Sequence, residues 1–167
     1  MRTVFFDIDT QIDFLFPAGA LYVPGAENIV SAVARLNQFA VSHGIPLVST
    51  VDAHTENDPE FAIWPPHCIA GTLGQQKPQA TRVAGQRIFE KVTTDNFLTP
   101  ELIAEYEADR YVVYGVVAEI CVQSAALALL ATGKPVEIVI DAVKGLSDAA
   151  TAAFLAKFAK VGTDPPY

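Results

Sequence analysis

The chain has 167 residues, 51% apolar and only 18% charged, a composition that supports one domain with a full hydrophobic core and excludes disorder. Its formal net charge is −8 with no lysine/arginine cluster, which argues against nucleic acid or an anionic membrane as the main partner. Two cysteines make no disulfide framework, no segment has transmembrane length, and the opening apolar run is too short for a signal peptide, so a soluble, cytoplasmic protein is expected.

Residues 4–8, Val-Phe-Phe-Asp-Ile, read as a short buried strand. A loop rich in Pro and Gly follows, then a helix over residues 27–43. There Ile29, Val30, Val33, Leu36 and Ala40 recur at helical spacing and Gly44 is the stop. His43 falls in the last turn, where a cation complements the helix dipole, and reads as structural. Residues 45–51 form a second strand. Residues 55–86 have no clear period, and roughly thirty such residues inside a compact domain mark a functional loop. A third strand covers 87–92. Thr99-Pro100-Glu101 then supplies an N-cap, a proline at N1 and an early acid for a short helix. The fourth strand is 111–117, followed by a helix from Cys121 to Gly133. A fifth strand at 136–140, a helix from near Ser147, a sixth strand around Val161 and Pro165-Pro166 complete the chain. This alternation, with continuously apolar strands, predicts a single α/β domain over residues 1–167. The expected architecture is a three-layer, doubly wound, mostly parallel sheet of five or six strands with helices on both faces.

Ligands of such sheets bind outside the carboxyl ends of the strands. Asp9 ends the first strand, Asp52 the second and Lys91 the third, and Cys121 follows the fourth. A cysteine at a helix start is where a thiolate forms most easily, because backbone N–H groups and the helix dipole stabilise the anion. Alone, Cys121 reads as a packed core residue, Asp9 as a loop cap and Lys91 as a solvated strand end. Together on one edge they make a nucleophile, a base for its proton and a cation that orients the base.

A second cluster starts at Asp52-Ala-His54. Side chains at i and i+2 of an extended segment point the same way, so both can reach one metal ion. Glu60 and His67 complete the shell, with Glu56 and Asp58 as rival carboxylates; hydrogen-bonded loop residues are the bland alternative. The only tryptophan, Trp64, lies beside His67 and with Phe14 offers flat apolar walls for a planar ring, against simple core packing. Phe5-Phe6-Asp7-Ile8-Asp9 also resembles the opening of aspartate-nucleophile phosphatases. There, however, Thr10 comes one place early and no later paired-acid motif answers it.

Taken together, these motifs resemble the isochorismatase-like cysteine hydrolase superfamily, and within it the nicotinamidases. Ile8-Asp9-Thr10-Gln11-Ile12-Asp13-Phe14 is similar to the family's opening Val-Asp-x-Gln-x-Asp-Phe, and residues 19–25, Gly-Ala-Leu-Tyr-Val-Pro-Gly, to its next segment. Asp52-x-His54 and Trp64-Pro-Pro-His67-Cys68 resemble the metal and substrate-loop motifs. Lys91 with Phe97, and residues 115–121, resemble the later signatures. Ala118-Glu119-Ile120 stands where an Ala-Thr-Asp-Tyr-type sequence is commoner, and Ile12 where asparagine is usual. The resemblance implies Asp9 as general base, Lys91 as its partner and Cys121 as nucleophile. It also implies a cis peptide at Val116–Val117, with the N–H groups of Val117 and Cys121 as oxyanion hole. Its metal ligands would be Asp52, His54, Glu60 and His67, holding one divalent ion, zinc first and iron or manganese as alternatives. Phe14 and Trp64 would bind the ring of a small aromatic carboxamide such as nicotinamide, in NAD salvage. A metal-free hydrolase of another amide or a vinyl ether, and a non-catalytic metal or ligand binder, are the competing readings; a homo-oligomer is left open.

Overall fold

The structure, a computed structural model, describes residues 1–164; Pro165 and Pro166 lie outside the described residues. Among the described residues six strands form one sheet: β1 (Thr3–Ile8), β2 (Leu47–Asp52), β3 (Arg87–Lys91), β4 (Arg110–Val116), β5 (Val136–Lys144) and β6 (Ala159–Val161). Their spatial order is β3-β2-β1-β4-β5-β6 and every pairing is parallel. Five helices accompany them: α1 (Ile12–Leu15), α2 (Val30–Ser42), α3 (Pro100–Glu105), α4 (Gln123–Leu130) and α5 (Asp148–Leu155). A parallel sheet covered on both faces requires apolar residues at successive positions, and β1 and β4 meet this with Val4, Phe5, Phe6, Ile8 and Tyr111 to Tyr114 all buried. On one face Phe5 stacks on Phe39 of α2 and meets the edge of Tyr114. On the other, Phe6 meets the edge of Tyr111, beside Ile103 of α3 and Ala128 of α4. The strand order reverses between β1 and β4, which makes their carboxyl ends the switch point where such folds bind ligands.

The α2 side of the sheet carries a buried polar network. The Asp7 carboxylate accepts from Thr10 Oγ1 (2.7 Å), Asn37 Nδ2 (2.8 Å) and Lys77 Nζ (2.8 Å), and Asn37 in turn accepts from the Tyr114 hydroxyl (2.7 Å). Asn37 Nδ2 also donates to Thr81 O (2.7 Å) and Gln86 Nε2 to Ser49 Oγ (2.6 Å). The irregular segment around residues 77–86 is therefore pinned to the sheet by polar groups, since it offers few apolar side chains to bury.

Several expectations are sharpened. The 27–43 helix opens as a 3₁₀ turn, Ala26–Ile29, before α2 begins, and His43 ends it structurally. Its Nδ1 lies 2.9 Å from Phe39 O and its ring stacks on Phe39 at 4.0 Å. Thr99 and Ser147 cap α3 and α5, accepting from Leu102 N (3.3 Å) and Ala150 N (3.1 Å). β5 runs four residues past the expected end at 140. Its pairing with β4 jumps from Val113↔Ile138 to Gly115↔Val143, and the bulge takes in Asp141, where the apolar pattern breaks. The segment before α4 is a π-helical turn, Ala118–Val122, so Cys121 lies inside a widened turn rather than at an α-helix start. Gly115 is required where it stands: its φ is +123°, and a Cβ there would lie 2.0 Å from Ile8 O.

Candidate active site

Each strand of the β3-β2-β1-β4 half ends in a reactive group, and the pairing lines these groups up across one edge. Asp9 follows β1 with φ +51° and is fully buried. Its Oδ1 accepts from Thr50 Oγ1 at 2.6 Å and its Oδ2 lies 2.9 Å from Lys91 Nζ. Lys91 closes β3, and its ammonium also reaches Asp52 Oδ1 (2.5 Å), Thr93 O (3.0 Å) and Cys121 Sγ (3.7 Å), with the Phe97 ring 4.6 Å away. One cation thus lies between two buried carboxylates and a thiol. Burial works against its charge, but Asp9, Cys121 and Asp52 outweigh burial and hold its pKa well above the ordinary lysine value. Burial raises the Asp9 carboxyl against the pull of Lys91. Burial and then the Asp9 charge also push the Cys121 thiol well above its ordinary value. A helix start alone therefore does not ionise this cysteine. Burial and the Asp9 charge favour the protonated thiol, and Asp9 lines the same cleft.

Beside this group, Asp52 Oδ2 lies 3.7 Å from His54 Nε2 and 3.8 Å from His67 Nε2. His67 Nδ1 is 2.8 Å from Pro65 O, a group that only accepts, so Nδ1 carries a proton and Nε2 is the nitrogen that faces Asp52. His54 Nδ1 is held at 3.0 Å by Asp58 Oδ2, and its buried Nε2 has no hydrogen-bond partner among the described residues. Two imidazole nitrogens and a carboxylate oxygen, all within 4.8 Å of one another and each oriented by an outer partner, fit one divalent ion. The three carboxylates that follow separate by environment. Asp58 is engaged with His54 and with Glu60 N (2.9 Å), Glu56 is exposed, and Glu60 lines the cleft beside Asp52 and His67, where burial raises its carboxyl.

A cleft at this edge is lined by Asp9, Phe14, Trp64, Val117, Cys121 and Leu146. Phe14 is buried and Trp64 half-buried. The Val116–Val117 peptide is cis, and Val117 caps the turn that carries Cys121. All the residues expected at the site from sequence therefore meet in or beside one cleft.

Four residues with no role assigned from sequence hold it together. Gln11 Nε2 donates to Asp52 O (2.8 Å) and Gln75 O (2.7 Å), while its Oε1 accepts from Asp52 N (2.7 Å). Asp13 accepts from Cys68 N (2.7 Å) and Ala20 N (3.0 Å), tying two loops to α1. Gly74 presses on that carboxylate so closely that a Cβ would lie 2.2 Å from Asp13 Oδ2. Thr50 holds Asp9, and Lys77 anchors the loop below. Gln11 and Asp13 both lie in the 8–14 motif, which is the signal that points to them. Thr50 and Lys77 carry none.

Residues 3–165 match the Isochorismatase domain family. The chain is 27% identical to the nicotinamidase/pyrazinamidase of Mycobacterium tuberculosis (strain ATCC 25618 / H37Rv), over 89% of each chain. It is 24% identical to the nicotinamidase of Escherichia coli (strain K12), over 84% of this chain and 82% of the relative. Among solved structures, the pyrazinamidase of Pyrococcus horikoshii in complex with zinc superposes with a TM-score of 0.88 at 26% identity, covering 97% of this chain and 99% of that one. With the family matched across nearly its whole length, the chain belongs to the isochorismatase domain family, as a nicotinamidase-like amide hydrolase.

Proposed function

We propose that the chain hydrolyses a small aromatic carboxamide, nicotinamide or a pyrazine analogue, to the carboxylate and ammonia through a thioester on Cys121. The observation that carries this reading is the contact of Asp9, Lys91 and Cys121 in a cleft whose other walls include Phe14, Trp64 and the Asp52/His54/His67 cluster. Asp9 accepts the thiol proton, and the Cys121 sulfur attacks the carboxamide carbon. Charge develops on the carbonyl oxygen, where the N–H groups of Val117 and Cys121 stabilise it, by about 3 kcal/mol for each well-placed donor. Asp9 returns the proton to the leaving nitrogen and ammonia departs. A water, deprotonated by Asp9, then attacks the thioester and frees the thiol. Lys91 orients Asp9 and opposes the burial that raises its carboxyl, and Phe14 and Trp64 sandwich the ring.

Asp52, His54, Glu60 and His67 would hold the divalent ion, zinc with iron or manganese as alternatives, and it would supply an anchor for a ring nitrogen and ordered water. The chain would act as one domain, in the cytoplasm. Ammonia release from nicotinamide and pyrazinamide by the metal-loaded protein, beside Cys121→Ala, tests the proposal. Turnover by the wild type and none by the variant is expected. No ammonia from either amide would sink the substrate reading, and equal release by Cys121→Ala would sink the mechanism.

A further inference from the structure

Glu119 stands two residues before Cys121 and has no part in the chemistry above. Its Oε1 accepts two successive backbone N–H groups of the β5–α5 loop, Leu146 N at 2.8 Å and Ser147 N at 3.3 Å. Its Oε2 is buried and has no hydrogen-bond partner among the described residues. The loop closes tightly on the carboxylate: a Cβ on Gly145 would lie 2.0 Å from Glu119 Oε2 and 2.2 Å from Thr151 Oγ1, so a side chain there would have to displace Glu119. From behind, Ser147 is fixed by α5. Its hydroxyl caps Ala150 N (3.1 Å), and its carbonyl accepts from Thr151 N (2.9 Å) and Thr151 Oγ1 (2.8 Å). Between these two anchors is Leu146, which lines the cleft together with Ile120, Val117 and Cys121.

We propose that Glu119 is a positioning residue that ties the Leu146 wall to the turn carrying Cys121, so that cleft width, and with it selection of one-ring over fused-ring carboxamides, is set by this carboxylate. The inference rests on the amide-hydrolase reading above. Charge-assisted bonds to two consecutive N–H groups hold the loop at one distance from the nucleophile's own turn. Without them, α5 still holds Ser147, but Leu146 is free to swing outward. A ring bound against it then loses contact in the ground state and the transition state alike, which raises KM and leaves kcat.

Four variants test this: Glu119→Ala, Glu119→Gln, Leu146→Ala and the Glu119→Ala/Leu146→Ala pair. In Glu119→Ala the Leu146 and Ser147 amides should exchange with deuterium about tenfold faster or more, while β1 and β4 keep their protection. KM for nicotinamide should rise ~5–10-fold with kcat within about twofold, and kcat/KM for quinoline-3-carboxamide relative to nicotinamide should rise ~10-fold. Glu119→Gln keeps an acceptor oxygen and should behave as the wild type. The pair should be no worse than Leu146→Ala, because both changes remove one contact. Unchanged exchange in Glu119→Ala, full additivity in the pair, or a fall in kcat at constant KM would each overturn the proposal. If the wild type hydrolyses neither amide, the functional reading fails, and the exchange experiment still decides whether Glu119 holds the loop.

Discussion

Gln11 is the side chain on which the geometry of Asp52 depends, and its removal should be felt in both stability and metal affinity. It is fully buried and makes three hydrogen bonds of 2.7–2.8 Å, two of them to the backbone on either side of the Asp52 carboxylate. A buried hydrogen bond contributes about 1 kcal/mol net, and each peptide group stranded without a partner costs about 1–3 kcal/mol. Gln11→Met, which keeps the volume and removes all three bonds, should therefore destabilise the fold by about 3–5 kcal/mol. For a chain of this size that lowers the melting temperature by roughly 10 °C. Gln11→Glu should be at least as harmful, because it turns a donor that serves two carbonyls into an oxygen that repels them. Zinc affinity should fall ~10–100-fold in both variants, as is usual when the support of a ligand is lost. Thermal unfolding followed by circular dichroism and zinc competition against a chromophoric chelator measure the two effects. Melting within about 2 °C of wild type together with unchanged zinc affinity would refute the reasoning, since Asp52 would then be held by something other than Gln11.

Three further outcomes are expected. Asp58→Ala removes the acceptor that orients His54 and should weaken zinc binding ~10–100-fold while leaving the rate of Cys121 alkylation unchanged; equal zinc affinity in a chelator titration would deny Asp58 that role. Lys77→Met strands the buried Asp7 carboxylate and should cost about 3–5 kcal/mol in urea unfolding, with kcat per folded molecule retained. Because burial and Asp9 hold the Cys121 thiol above its ordinary value, thiolate becomes abundant only at high pH. Iodoacetamide alkylation should therefore still accelerate steeply from about pH 9.5 to 10.5, where a thiol of ordinary pKa, about 8.5, has already levelled off; a plateau reached by about pH 9.5 would refute the raised pKa.

Much of this molecule is legible from its residues, and what is not legible fails for physical reasons. The β1 and β4 strands are mostly apolar runs, a pattern set by burial on both faces, and the ends of β1, β2 and β4 bring Asp9, Asp52 and Cys121 to one edge. The approach of Asp52 and His54 is equally readable, because i and i+2 side chains of an extended segment share a side. Hidden are the features that arise from contacts across long separations. Thr50 looks like any strand threonine until its hydroxyl meets Asp9. Lys77 looks like a loop lysine until it is buried on Asp7. The state of the Cys121 thiol was masked in the same way. The local signal of a helix start favours the thiolate, whereas burial and the Asp9 charge come from the assembled fold and oppose it. The extension of β5 depends on a bulge that interrupts the very alternation by which strands are recognised.

The seam between β1 and β4 divides the working parts unequally. Everything N-terminal to β4 contributes the proposed base, the cation and every proposed metal ligand, whereas the C-terminal part contributes the thiol and the proposed Val117 donor. Asp9 and Cys121 are 112 positions apart (121 − 9) and become neighbours only when the two middle strands of the sheet pair. A nascent or partly opened chain therefore carries an ordinary thiol without its proposed partners, with neither Asp9 nor Lys91 beside it. Turnover requires the β1–β4 pairing, so its appearance during refolding would be a clock for closure of the sheet at that seam.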